Sequence, residues 1–154
     1  MLSIIIPART EKFLNRTIQD VLEKAVTEIE VFPVLDGYPD DFPYERIKDP
    51  RVHYITLPPP LGAERRKRQA VNTAVSISHG EYIMWMDAHC VLAPRFDEIL
   101  IRDCQENWVM VPRRRRIDTE TWTGKDYDDS PPIDYEYWIW RDLLTGRLKN
   151  YKWN

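Results

Sequence analysis

Apolar positions along the chain fall into short unbroken runs separated by stripes at helical spacing. Residues 2–6, LSIII, are a β-branched run stopped by Pro7, the pattern of a strand buried on both faces and followed at once by a loop. Over residues 14–25, Leu14, Ile18, Val21, Leu22 and Ala25 recur at spacings of three and four. That predicts a helix with one buried stripe, capped by Asn15 or Thr17. A second strand is predicted at residues 30–35, EVFPVL, closed by Asp36-Gly37, although Pro33 lacks the N–H that a central ladder uses. Strand, helix and strand in one sheet imply parallel pairing.

Residues 38–49, rich in Pro, Asp and Tyr, read as a loop, and residues 52–57 as a third strand ended by Pro58-Pro59-Pro60. Gly62 opens a helical segment, AERRKRQAVNTAVSIS, with Ala70, Val71, Ala74, Val75 and Ile77 on its buried side and four basic residues near its start. His79-Gly80 stops it. A fourth strand at 81–86, a helix near 95–105 and a fifth strand at 108–111 closed by Pro112 complete the pattern. From Arg113 the sequence turns polar, aromatic and weakly periodic, which divides the chain into an α/β core at 1–112 and a tail at 113–154. No internal repeat or low-complexity tract interrupts this order.

Composition narrows the class. The length of 154 residues suits one domain, and a 43% hydrophobic, 31% charged chain of net charge -3 has no overall attraction to nucleic acid or anionic membrane. No window approaches the roughly 18 apolar residues of a membrane span, and the opening MLSIIIPARTEK lacks a signal-peptide core, so a cytoplasmic protein is expected. Cys90 and Cys104 are then expected to be reduced thiols. Tryptophan and tyrosine crowd into the last third, where they serve either a binding surface or a core.

The candidate chemistry begins at YIMWMDAHC. Side chains at i and i+2 of a strand share a face, so Asp87 and His89 are expected to converge just past the fourth strand. A carboxylate oxygen with an imidazole nitrogen suits Mn2+ or Mg2+ better than a structural zinc, which wants four protein ligands. Taken alone, the string is equally compatible with Asp87 capping a turn and His89 at the surface. Its place in the fold adds weight, because open α/β sheets bind ligands beyond the carboxyl ends of their strands, near a reversal of strand order. Three ends carry polar residues here: Ala8-Arg9-Thr10-Glu11, Asp36-Gly37 and Asp87-Ala88-His89. Asp36 suits the imide N–H of a uracil-like base, Glu11 suits ribose or base donors, and a metal suits a diphosphate.

The ordered set of motifs resembles the family-2 type glycosyltransferases of the GT-A fold. SIIIPARTEKFLNRTIQDVL resembles their opening strand, Pro-x-Tyr-Asn-Glu loop and first helix, and VLDGYPDD resembles a strand ending in Asp-Asp-Gly-Ser-x-Asp. GEYIMWMDAHC is similar to Gly-Glu-Tyr-Ile followed by the Asp-x-Asp metal motif, and its Asp-x-His-Cys form is closer to the Asp-Ser-His-Cys of polypeptide N-acetylgalactosaminyltransferases. Gly62-Ala63-Glu64-Arg65 is similar to the Gly-x-x-Arg that opens the helix before the metal strand.

The resemblance covers residues 2–112 and implies a three-layer α/β/α, Rossmann-like domain with a mainly parallel sheet. It implies a nucleoside diphosphate sugar donor, UDP-linked, bound at Pro7, Ala8, Arg9, Glu11, Asp36, Gly37 and Asp87, with Arg65 and then Arg68 toward the diphosphate and a metal on Asp87 and His89. Arg9-Thr10 departs from the usual Tyr-Asn, and no histidine follows His89 where Asp-x-His relatives carry a further ligand. The acceptor half of the family has no counterpart, so the chain reads as the nucleotide-binding half of a longer protein in preference to the other alternative, a naturally short and inactive form. The acceptor is open among glycan, protein and DNA, the last suggested by Arg113 to Arg116. Asp134 and Glu136 stand too near the metal motif for the family's catalytic base. Two other readings remain: a sugar-phosphate nucleotidyltransferase, though PARTEK lacks that class's glycines, and a non-catalytic nucleotide-sugar or nucleic-acid binding module.

Overall fold

The structure, a computed structural model, describes residues 1–37, 45–58, 66–112, 114–125, 136–140 and 148–152. In chain order the elements are β1 (Leu2–Ala8), α1 (Leu14–Lys24), β2 (Ile29–Asp36), β3 (Ile55–Leu57), α2 (Lys67–Val75), β4 (Tyr82–Trp85), α3 (Phe96–Asp103), β5 (Arg116–Asp118), β6 (Thr123–Lys125), β7 (Glu136–Trp140) and β8 (Leu148–Lys152). They fall into two compact units, Met1–Asp103 and Cys104–Asn154, a division ahead of the expected boundary at 112. Among the described residues no helix is long and apolar enough to cross a membrane.

In the first unit, β1 to β4 form a sheet of order β3-β2-β1-β4 in which every pairing is parallel. The alternation of β1 divides its side chains between two cores. Leu2, Ile4, Ile6 and Ala8 pack with Leu14, Ile18 and Val21 of α1 and Phe96 of α3. Ile5 packs with Phe32, Val34 and Leu57, and with Ala70 and Ala74 of α2. Helices therefore cover both faces, the three-layer α/β arrangement that the resemblance implies and that a strand buried on both faces requires. Each fully buried Ile or Val contributes roughly 1.5–3 kcal/mol of transfer free energy, before conformational entropy is counted.

Two prolines run inside strands, and the hydrogen-bond parity explains why they are tolerated. β1 does not stop at Pro7 as expected but continues to Ala8. The N–H groups of Tyr82 and Met86 donate to Met1 and Ile5 carbonyls, while Leu2 N–H donates to Glu28 O, so odd positions of β1 face β4 and even ones face β2. Pro7 thus lacks its N–H on the β4 side, past the last pair, Ile5 with Trp85. In β2, Val31 bonds both ways with the residues flanking Val52, which turns Pro33 toward the same neighbour. It meets the gap between the Val31–Val52 bridge and the first β3 pair, Val34 with Ile55.

Several expectations give way to tertiary contacts. Phe13, whose side chain makes no capping hydrogen bond, precedes α1; Asn15 and Thr17 lie within the helix and turn to Glu45 O and Cys90 N. The third strand shrinks to Ile55–Leu57 because only the Val52 bridge precedes it. In α2 only Ala70 and Ala74 are buried; Val75 and Ile77 are exposed, one off the stripe in phase and the other beyond the helix. The fifth strand does not form: Trp108, Val109 and Val111 are exposed, with neither a ladder nor a covered face to hold an extended run.

Buried acids brace the first unit. Glu30 accepts from Ser3 Oγ at 2.6 Å and from the amides of His79 at 2.6 Å and Gly80 at 3.2 Å. His79 also places Nδ1 3.2 Å from Glu30 Oε2. Burial pushes the Glu30 carboxyl up, but the Ser3 hydroxyl and the two amides hold it below its ordinary value. Gly80 has to be glycine, since a Cβ there would stand 2.3 Å from Ser3 Oγ and 2.7 Å from Ser3 N. Asp97 at the start of α3 accepts from the amides of Val26 and Thr27 and from Thr27 Oγ1, tying that helix to the α1–β2 connection.

The second unit holds two antiparallel pairs. β5 pairs with β6 between Arg116 and Lys125, and β7 with β8 so that Tyr137 stands opposite Tyr151 and Trp140 opposite Leu148. β7 takes the alternating stretch EYWIW.

Candidate functional site

The strand order reverses between β1 and β4, so the carboxyl ends of those strands flank a switch point, with the end of β2 alongside. The chain beyond β1 turns at Thr10, whose φ of 52° is a strained conformation for a β-branched residue. On either side of Thr10, Arg9 reaches to the end of β2 and Glu11 to the segment beyond β4.

Asp36, the last residue of β2, is buried with 5% exposure and receives two guanidinium groups. Arg9 donates from Nε at 3.1 Å and Nη2 at 2.6 Å to Oδ2. Arg66 donates from Nε at 2.9 Å and Nη2 at 2.5 Å to Oδ1, and its backbone N–H stands 3.4 Å from Oδ2. Burial pushes the Asp36 carboxyl up, but the bonds from Arg66 and then Arg9 outweigh it and hold the group below its ordinary value. The following Gly37, expected to help close the strand, has φ of 70°, a left-handed conformation that glycine adopts without strain. Two cations against one carboxylate leave the corner with a net positive charge.

β4 ends at Trp85, so Asp87, Ala88 and His89 lie past the strand as expected, but Ala88 and His89 are in a turn and not in the extended geometry that sets i and i+2 on one face. Burial still alternates: Met86 and Ala88 are buried, Asp87 and His89 exposed. Lys67 Nζ donates to Asp87 Oδ1 at 2.6 Å and lies 4.7 Å from the centroid of Trp85. His89 Nδ1 lies 3.6 Å from Glu11 Oε2, linking the segments beyond the two strand ends.

Among the described residues no three His, Cys, Asp or Glu side chains gather as a self-sufficient metal cluster. The donors present are Asp87 and His89, with Glu11 behind the imidazole, and Asp87 already attracts the cation of Lys67. Cys90 adds no thiolate, because burial first and then the charge of Asp87 push its thiol up. An oxygen and nitrogen donor set without sulfur fits Mn2+ or Mg2+ sharing its remaining positions with phosphate oxygens and water.

The structure brings Arg9, Glu11, Asp36, Gly37, Asp87 and His89 to this edge, with Pro7 and Ala8 closing β1 beneath them. Arg65 lies outside the described residues, and Arg68 is exposed on α2. Sequence reasoning passed over Arg66 and Lys67, the basic residues that reach Asp36 and Asp87. A signal for Arg66 was present: Ala70 and Ala74 are the buried stripe of α2, and one further step of four toward the N-terminus gives Arg66.

The family model described as glycosyl transferase family 2 matches residues 3–153. No curated protein matches the chain.

Proposed function

This chain belongs to glycosyl transferase family 2, and from that premise we propose that it moves a sugar from a UDP-linked nucleoside diphosphate donor to an acceptor hydroxyl. The supporting observation is the meeting of side chains at the switch point, where Glu11 and His89 face each other at 3.6 Å and the half-exposed Asp87 carboxylate already draws one cation, that of Lys67.

In this reading Asp87 and His89 hold Mn2+ or Mg2+, as the resemblance of Asp87-Ala88-His89-Cys90 to Asp-Ser-His-Cys implies. When bound, the ion neutralises charge growing on the departing nucleoside diphosphate. Glu11 faces Nδ1 of His89 and so leaves Nε2 as the ligand nitrogen. With 38% of its side chain exposed, Glu11 also accepts from ribose or base donors. Arg9, Arg66 and Arg68 supply positive charge toward the diphosphate, with Arg65 beside them in sequence. Pro7, Ala8 and Gly37 form the floor of the nucleoside pocket. Asp36 reads the base imide once Arg9, 32% exposed, swings off Oδ2.

Calorimetric titration with a panel of UDP-sugars, with and without Mn2+, tests the proposal. Metal-dependent binding with slow hydrolysis of the donor is expected. Metal-independent binding of DNA with no affinity for UDP-sugars would overturn it.

A further inference from the structure

We propose that Thr17 and Asp20, two buried polar residues of α1, are positioning residues for the turn at 87–89, an inference that rests on the glycosyltransfer reading of that turn. Thr17 is 0% and Asp20 6% exposed, in a helix whose other buried positions are Leu14, Ile18 and Val21. A hydroxyl and a carboxylate at such sites cost free energy unless a specific partner answers each of them. Both partners lie on the segment that leaves the turn. Cys90 N–H donates to Thr17 Oγ1 at 3.3 Å, and Leu92 N–H donates to Asp20 Oδ2 at 2.7 Å.

Lys24 extends the grip. Its Nζ bonds Asp20 Oδ1 at 2.5 Å and Leu92 O at 2.7 Å, and its carbonyl accepts from Arg95 N–H at 2.9 Å. Thr17, Asp20 and Lys24 stand at i, i+3 and i+7, one polar track along the helix that receives the extended chain from Cys90 onward. The turn is held from the other side by Met86 N–H, which donates to Ile5 O at 3.1 Å. Anchored at 86, 90 and 92, the backbone of 87–89 has a fixed direction, and with it the exposed side chains of Asp87 and His89. A site with two protein ligands has no spare donor to make up for a misdirected one, so ligand orientation governs its affinity.

Titration of Mn2+ alone, followed by electron paramagnetic resonance, into the wild type, Thr17→Val, Thr17→Ser, Asp20→Asn and the core control Ile18→Val is the test. Thr17→Val and Asp20→Asn are expected to weaken Mn2+ binding by about tenfold, the lower end of the range for outer-shell partners, while Thr17→Ser and Ile18→Val bind as the wild type does. Hydrogen exchange should quicken at the Cys90 amide in Thr17→Val and at the Leu92 amide in Asp20→Asn, and stay unchanged at Val26 and Thr27. Thermal melts confirm folding, and Asp20→Asn carries the test should Thr17→Val not fold. Wild-type Mn2+ affinity in both variants would overturn the positioning role and leave the transferase reading standing. A wild type that binds UDP-sugars but no Mn2+ would overturn both.

Discussion

Replacing Asp36 by asparagine probes the corner where β1, β2 and the start of α2 meet. Its two oxygens serve different guanidinium groups, Oδ1 that of Arg66 and Oδ2 that of Arg9. Whichever way the asparagine amide turns, its NH2 faces one set of guanidinium donors, and the carboxylate charge between two cations is gone. Removing one partner of a buried pair costs 3–5 kcal/mol. The Arg9 side chain is 32% exposed, so water relieves part of that penalty and the lower end, about 3 kcal/mol, is the expectation. With a urea slope of about 2 kcal/mol/M, the unfolding midpoint falls by about 1.5 M. The loss should depend on pH with a definite sign. The folded Asp36 carboxyl titrates below its ordinary value of 3.8, so its contribution is present above that pH and disappears as the pH falls through the folded value. Urea melts at neutral pH and at pH 3 therefore show a large gap between wild type and variant that narrows in acid. A midpoint shift under about 0.5 M at neutral pH, well short of what the buried pair implies, would refute the clamp.

Gly80→Ala should destabilise the first unit by about 1–3 kcal/mol, read by thermal melting, because the new methyl meets Ser3; Ser3→Gly restores only part, since Ser3 N is also in the way. Ile18→Ala opens a cavity in the α1 core and should cost about 2–5 kcal/mol by urea unfolding without altering Mn2+ affinity. Glu30 and Asp97 join Asp36 with carboxyls held below their ordinary values of 4.5 and 3.8, so Tm should fall as pH drops through and below those values; Glu30→Gln flattens part of that slope. His89→Ala should weaken Mn2+ binding by more than tenfold, and Glu11→Gln by less, measured by paramagnetic resonance.

Sequence alone determined the strand and helix order of the first unit, the parallel pairing, and the gathering of Arg9, Asp36 and Asp87 at one sheet edge. Hydrophobic runs and stripes are local signals, and a β-α-β order leaves a parallel sheet little freedom in where its carboxyl ends fall. The fifth strand misled because an apolar run states only a preference, and residues 108–111 find neither ladder nor cover. Tertiary structure decided how the site's charges pair. Which of four successive basic residues reaches a carboxylate depends on where the helix starts and which stripe it buries, and α2 begins at Lys67 with Ala70 and Ala74 inward. Likewise Thr17 reads from the sequence only as a cap, and nothing local marks Asp20, until folding brings the segment after β4 against α1, across more than seventy positions of sequence. Contacts that distant follow from the packing of whole elements, which no local pattern encodes.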